Sequence, residues 1–303
     1  MPPFPLAGEF AALATSVFFS IAPTLFTISG RVLGSAVVNR SRLLAATLIL
    51  MAAHFVIIGG LLPWSATPEQ WFWLGLSGLI GLSLGDAALF QAFVQIGPRL
   101  TMLVFSLSPI LATLFGWAWH GETLESVQLL GVAVTLGGVL WVVLEGQNGS
   151  GRIDRRLYAT GLFFAFLGAL GQAGGLLTAK EGLAGEIPVL SGQVIRMSMG
   201  TPGIWLVTAL RGQGLATIAA LRANPGATRA LFAATLAGPV LGVWCSLAAV
   251  KYTPNIGVAS TLQSLPPVFL IPIGYFFFKE KLSPRAIWGT VVALAGVAIL
   301  FLA

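Results

Sequence analysis

Ten stretches of this chain stay apolar long enough to cross a hydrocarbon layer, which takes roughly 20 residues as a helix. They run over about 7–29, 37–62, 71–95, 98–119, 126–144, 157–180, 188–210, 228–250, 255–278 and 284–302. The apolar residues are continuous rather than alternating, so the stretches read as helices and not as strands of a barrel. Within lipid the backbone must satisfy its own hydrogen bonds, and a helix does this inside a single segment. The spans use most of the chain and leave no room for a soluble domain. Only 9% of the residues are charged, against about a quarter in a soluble domain, so a water-facing surface could not be covered. The expected fold class is an all-α integral membrane protein with ten transmembrane helices. No basic segment precedes the first apolar run, so no cleaved leader is expected. Cys245 is the only cysteine, which excludes an intrachain disulfide and a thiolate metal cluster.

A pattern then occurs twice, 158 positions apart. Leu107-Ser108-Pro109, Gly116, Glu122, Gly131 and Gly138-Val139 return as Leu265-Pro266-Pro267, Gly274, Glu280, Gly289 and Gly296-Val297. Pro and Glu are scarce here, so the pairs Pro109/Pro267 and Glu122/Glu280 carry the most weight. Internal repeats in an apolar chain mark transporters. The polar run from Glu145 to Arg156 reads as a linker. The chain thus divides into a first repeat over 1–146, a linker over 147–156 and a second repeat over 157–303. Five helices per repeat is an odd number, so the second must enter the membrane from the opposite side. The expected architecture is two inverted five-helix repeats around a central cavity.

All of the 16 Lys and Arg except Lys180, Arg196 and Lys251 fall in loops or helix ends on one side. The positive-inside rule makes that side cytoplasmic, with the linker, and places both termini outside.

Ionisable groups at membrane depth are costly and usually face a cavity or a partner. Asp86 lies near the middle of span three. It reads either as a proton-binding or substrate-amine site, or as a structural ion pair. With only Gly85, Ala87, Ala88, Leu89 and Phe90 around it in sequence, it would exchange protons unless Arg42 or Arg196 lies close and holds it charged. Arg42 and Arg196 read as holders of a substrate carboxylate, or as side chains snorkelling to the headgroups. His54, deep in span two, reads as hydrogen-bonded. Gln91 and Gln95 share a helical face and, with Gln263 and Ser108, could supply neutral polar contacts. Trp244 reads as a cavity aromatic or an interfacial anchor. Pro109 and Pro267 interrupt apolar spans and read as kinks or as gating hinges.

Several of these residues resemble the drug/metabolite transporter superfamily, specifically its EamA-type ten-helix transporters. The resemblance rests on Gly85-Asp86 in span three, Ser108-Pro109 in span four, Gly121-Glu122-Thr123-Leu124 at the following corner and a glycine-rich fifth helix. Pro266-Pro267, Lys279-Glu280-Lys281-Leu282 and Gly289/Gly296 repeat them, and Arg42 and Arg196 stand early in spans two and seven. It implies a basket of ten helices, alternating access and export of amino acids or other small metabolites. Two departures stand out. Val243-Trp244 take the place that would match Asp86, and members of the family commonly keep both termini in the cytoplasm.

Enzyme signatures are absent: no Gly-x-Ser-x-Gly elbow, Walker loop or His-Glu-x-x-His occurs. The expected function is a secondary transporter of the inner membrane, with no cofactor, no metal site and no nucleic-acid partner. It would work as a monomer or homodimer, with proton coupling as an option. A divalent-cation or drug carrier of the same fold is the alternative, and a membrane-embedded lipid-handling enzyme is the alternative from another class. A lone membrane Asp argues against the cation, since hard cations take several oxygen ligands.

Overall fold

A computed structural model describes residues 6–120, 126–149, 154–185, 187–252, 262–279 and 283–302. The described helices are α1 (Ala7–Leu33), α2 (Ser35–Ile58), α3 (Pro68–Ser77), α4 (Asp86–Phe105), α5 (Ser108–His120), α6 (Ser126–Gly149), α7 (Arg155–Gly182), α8 (Val189–Leu210), α9 (Gly214–Ala223), α10 (Pro225–Thr235), α11 (Val243–Tyr252), α12 (Pro266–Phe278) and α13 (Pro284–Leu302). Widened π-helical turns, Gly78–Gly85 and Leu236–Gly242, join α3 to α4 and α10 to α11. The chain is an all-α, multi-pass membrane protein. Among the described residues six helical spans are long and apolar enough to cross a bilayer, and the α8–α9 pair, bent by 100°, is a broken span or a re-entrant loop. Val56, Leu84, Phe276 and Phe277 stand outward, each at least 70% exposed, as lipid-facing side chains do.

Local chemistry sets the element ends. Thr67 and Gln70 form a capping box that starts α3 just before Pro68. The run Pro68–Phe105 is 38 residues long, roughly 57 Å at 1.5 Å per residue and far more than one crossing needs. Gly97, at φ 79°, leaves helical geometry just before Pro98 and divides it, at the boundary expected between spans three and four. Span two ends earlier than expected. Gly59 takes the left-handed conformation at φ 94° and its N–H caps the carbonyl of Phe55, so 59–62 are not helix. Helix α6 continues five residues beyond the expected end of span five, to Gly149, which shortens the linker. Of that linker, 150–153 lie outside the described residues, as do Glu122 and Glu280 of the repeat and the start of span nine.

The expected hinge prolines do not interrupt helices. Pro109 and Pro267 stand at the second position of α5 and α12, in the first turn, where a missing N–H costs nothing. The breaks lie just upstream, at the turn Ser106–Leu107 and around Ser264–Leu265, where the helices are interrupted although Ser106 and Leu265 keep right-handed dihedrals.

Residues before the linker pack chiefly against residues after it. Helix α6 lies along α13, α7 along α3–α4, α1 along α10–α11, and α2 against α8. The α6–α13 contact is reciprocal. A Cβ on Gly138 would sit 2.3 Å from the backbone N of Ala293, and a Cβ on Gly296 would sit 2.3 Å from the backbone N of Thr135. Gly138 and Gly296 are 158 apart, as are Thr135 and Ala293. The π-turns also begin 158 residues apart, at Gly78 and Leu236. A self-complementary contact of this kind is what a two-fold relation produces. Hydroxyls bridge the remaining crossings: Thr47 to Thr201 at 2.7 Å, Ser77 to the Gly175 carbonyl at 2.5 Å and Ser29 to the Ala227 carbonyl at 3.0 Å. Close glycine approach and hydroxyl bridges hold helices together where lipid supplies no hydrophobic drive.

Candidate functional site

The first turns of α2 carry Ser35, Asn39 and Arg42, spaced four and three apart and so on one face. That face meets the junction between the π-turn and α4. The Ser35 hydroxyl donates to Gln91 Oε1 at 2.5 Å, Asn39 Nδ2 reaches the Ser83 carbonyl at 3.5 Å, and Arg42 Nη2 donates to Asp86 Oδ2 at 2.5 Å. Arg42 Nη2 also donates to Asn39 Oδ1 at 3.2 Å. Its guanidinium lies 5.0 Å from the centre of the Phe90 ring and 5.8 Å from that of Phe26. Arg42 and Asp86 are both buried, so the pair is shielded from water and ions and is screened little.

Arg196 enters from α8. A Cβ on Gly78 would lie 2.0 Å from the Arg196 carbonyl oxygen, so only glycine lets α8 come this close to the π-turn. The Arg196 guanidinium is near enough to Asp86 for the two charges to attract. The ion pair, however, is made by Arg42. Arg196 Nη1 donates to Gln193 Oε1 at 3.2 Å, and its buried Nε has no partner. The cluster therefore joins two guanidiniums to one carboxylate.

The structure brings Asp86, Arg42, Arg196 and Gln91 together and leaves the other expected residues elsewhere. Gln95 packs toward Gly161 of α7, with a buried Oε1 that has no partner. Gln263 accepts from the Ser246 hydroxyl at 2.5 Å, Ser108 is buried at the start of α5, and Trp244 is 58% exposed. Arg40, counted with the positive loops, is buried inside α2 beside Arg42. It donates to Thr208 Oγ1 at 3.3 Å and to Gln213 Oε1 at 3.2 Å, so the last turn of α8 and the turn after it supply neutral oxygens rather than a headgroup. His54 is hydrogen-bonded, as expected: Nδ1 to the Gly60 carbonyl and Nε2 to Ser191 Oγ at 2.9 Å. Sequence reasoning missed Asn39, Phe26 and Phe90. The signal for Asn39 was an amide one turn before an arginine inside an apolar span.

A multi-pass helical protein with a buried ionic cluster between crossing helices has the layout of a carrier, and comparison with known proteins agrees. The model of the EamA-like transporter family matches residues 6–144 and again 159–302. The chain belongs to the EamA-like transporter family. An uncharacterized transporter of Archaeoglobus fulgidus is 23% identical over 229 residues, 76% of this chain and 75% of the relative. A solved crystal structure of a protein shares the fold with a TM-score of 0.59. It is 17% identical, and the match covers 95% of this chain and 94% of that one. As an EamA-like transporter the chain works in a lipid bilayer on a small-molecule substrate. The family model matches it twice, on either side of residues 145–158.

Proposed function

We propose that this EamA-like protein is a secondary transporter that exports amino acids or other small metabolites by alternating access across the inner membrane. The reading adds ten crossings in two inverted five-helix repeats, with the arginine-rich ends and the linker in the cytoplasm. The observation that carries it is the polar seam of Ser35, Asn39, Arg42, Asp86, Gln91 and Arg196 where α2, the π-turn leading into α4, and α8 meet, with Asn39, Arg42 and Asp86 buried and the other three half-buried. Buried ionisable residues at membrane depth are kept where they serve a pathway. The chain shows no nucleotide-binding loop, so the driving force is a gradient. A divalent-cation carrier is less well supported, because no three His, Cys, Asp or Glu gather among the described residues.

Within this reading Asp86 fixes Arg42, and Gln91 and Asn39 hold the seam in register. The helices break at matching places in the two repeats, Ser106–Leu107 and Ser264–Leu265, and these breaks suit a gate better than Pro109 and Pro267 themselves. The purified protein in liposomes preloaded with unlabelled amino acids should accumulate the matching labelled amino acid by counterflow. Absence of counterflow for every amino acid and small metabolite tested would remove the transport reading.

A further inference from the structure

We propose that the substrate presents a single carboxylate to Arg196, which acts as the anion receptor of the site, while Asp86 serves as the permanent counter-ion of Arg42. The inference rests on the transporter reading above and names the substrate class.

The two arginines are not in equivalent states. Arg42 is engaged by Asp86, by Asn39 and by the faces of Phe26 and Phe90. Arg196 has one neutral partner, Gln193; its buried Nε has no partner, as is also true of Arg42 and Arg40. The Asp86 carboxylate is bonded to Arg42, and among the described residues no carboxylate forms an ion pair with Arg196. Within this cluster one positive charge is thus left over, on the half-buried Arg196; Arg40, buried nearby in α2, has neutral partners of its own in Thr208 and Gln213. An uncompensated buried charge is expensive unless a partner arrives. A guanidinium offers a planar fork that fits a carboxylate through two parallel hydrogen bonds. One surplus charge balances one negative charge, which favours a monocarboxylate over a doubly charged phosphate ester and disfavours a cation. The Arg196 Nη2 lies where α7 and the π-turn meet, 3.7 Å from where a Cβ on Gly81 would stand, with Gly171 and Gly175 beside it.

The test uses the full-length protein in detergent and its thermal unfolding midpoint. The probes are sodium salts of short monocarboxylates, zwitterionic amino acids and the amides of both sets. The carboxylates should raise the midpoint and the amides should not. Arg196→Gln should abolish the response and raise the ligand-free midpoint above wild type, because it removes the surplus charge. Arg196→Lys should keep part of the response, and Arg222→Gln, on the exposed face of α9, should behave as wild type. Equal stabilisation by amides, no stabilisation by any carboxylate, a response retained in Arg196→Gln, or a ligand-free midpoint lowered by that substitution overturns the proposal. Counterflow separates the two readings. If Arg196→Gln still exchanges substrate at the wild-type rate, the transporter reading stands and the anion receptor falls.

Discussion

Asp86 and Arg42 are separated by 44 positions in the chain and meet at 2.5 Å inside it. The ionisable residues were legible in the sequence because charge inside an apolar span is conspicuous. Their pairing was not, because it depends on how α2 meets the π-turn. Asn39, Phe26 and Phe90 were silent, since an amide and two phenylalanines are ordinary members of such spans. Trp244 read as a cavity aromatic or an interfacial anchor, and at 58% exposed it turns outward. The pairing sets a clear expectation for mutation. Asp86→Asn leaves two guanidiniums buried without a counter-charge, and Arg42→Met leaves the carboxylate with Arg196 alone. Asp86→Asn should destabilise the protein by about 3 kcal/mol or more, as breaking a buried pair does, and Arg42→Met by less, because Arg196 still offsets the carboxylate. The double variant Asp86→Asn/Arg42→Met should lose much less than the sum, with a coupling of about 1–3 kcal/mol. Chemical unfolding of the three variants in mixed micelles measures it. Strictly additive losses would mean that the two residues act independently.

Helices reveal themselves through apolar length, and most boundaries were legible to within a few residues. The exceptions have local causes. Gly59 ends α2 early, α6 outruns its expected end, and α9 turns by 100° out of line with α8 where a loop was expected. Glycine patterns announce close packing without saying which glycine makes the contact. Gly137 and Gly138 are neighbours in sequence, yet a Cβ on Gly137 meets nothing within 4 Å, while one on Gly138 strikes the α13 backbone. Gly138→Ala should therefore destabilise the α6–α13 crossing by about 1–3 kcal/mol, the range for overpacking. Gly296→Ala should do so by a similar amount because the contact is reciprocal. Gly137→Ala should be neutral or slightly stabilising, since alanine is the better helix former. Thermal midpoints of the three single variants decide this. Equal effects at 137 and 138 would show that the crossing does not depend on backbone approach.

At the scale of the whole molecule the two halves are legible as a sequence repeat, but their interlocking is not. The repeat implies two inverted halves around a central cavity without saying which helices of one half meet which of the other. In the structure α1 of the first half lies along α10–α11 of the second, α7 of the second along α3–α4 of the first, and α6 runs against α13. The ionic cluster is divided in the same way, with Arg42 and Asp86 before the linker and Arg196 after it. Neither half alone can bury its glycine faces or complete its polar seam, and exposed polar groups in lipid are penalised with no water to satisfy them. Residues 1–149 and residues 154–303 expressed separately should therefore each fail to accumulate as a monodisperse membrane protein. Co-expressed as two chains they should assemble, because the contacts between halves do not need a covalent link. Size-exclusion chromatography in detergent with a tag on one fragment is the measurement. Co-purification of the untagged fragment at one-to-one stoichiometry is the expected result. A half that is stable and monodisperse on its own would mean that the repeats are separate folding units, and that the shared crossings are docking contacts made after folding.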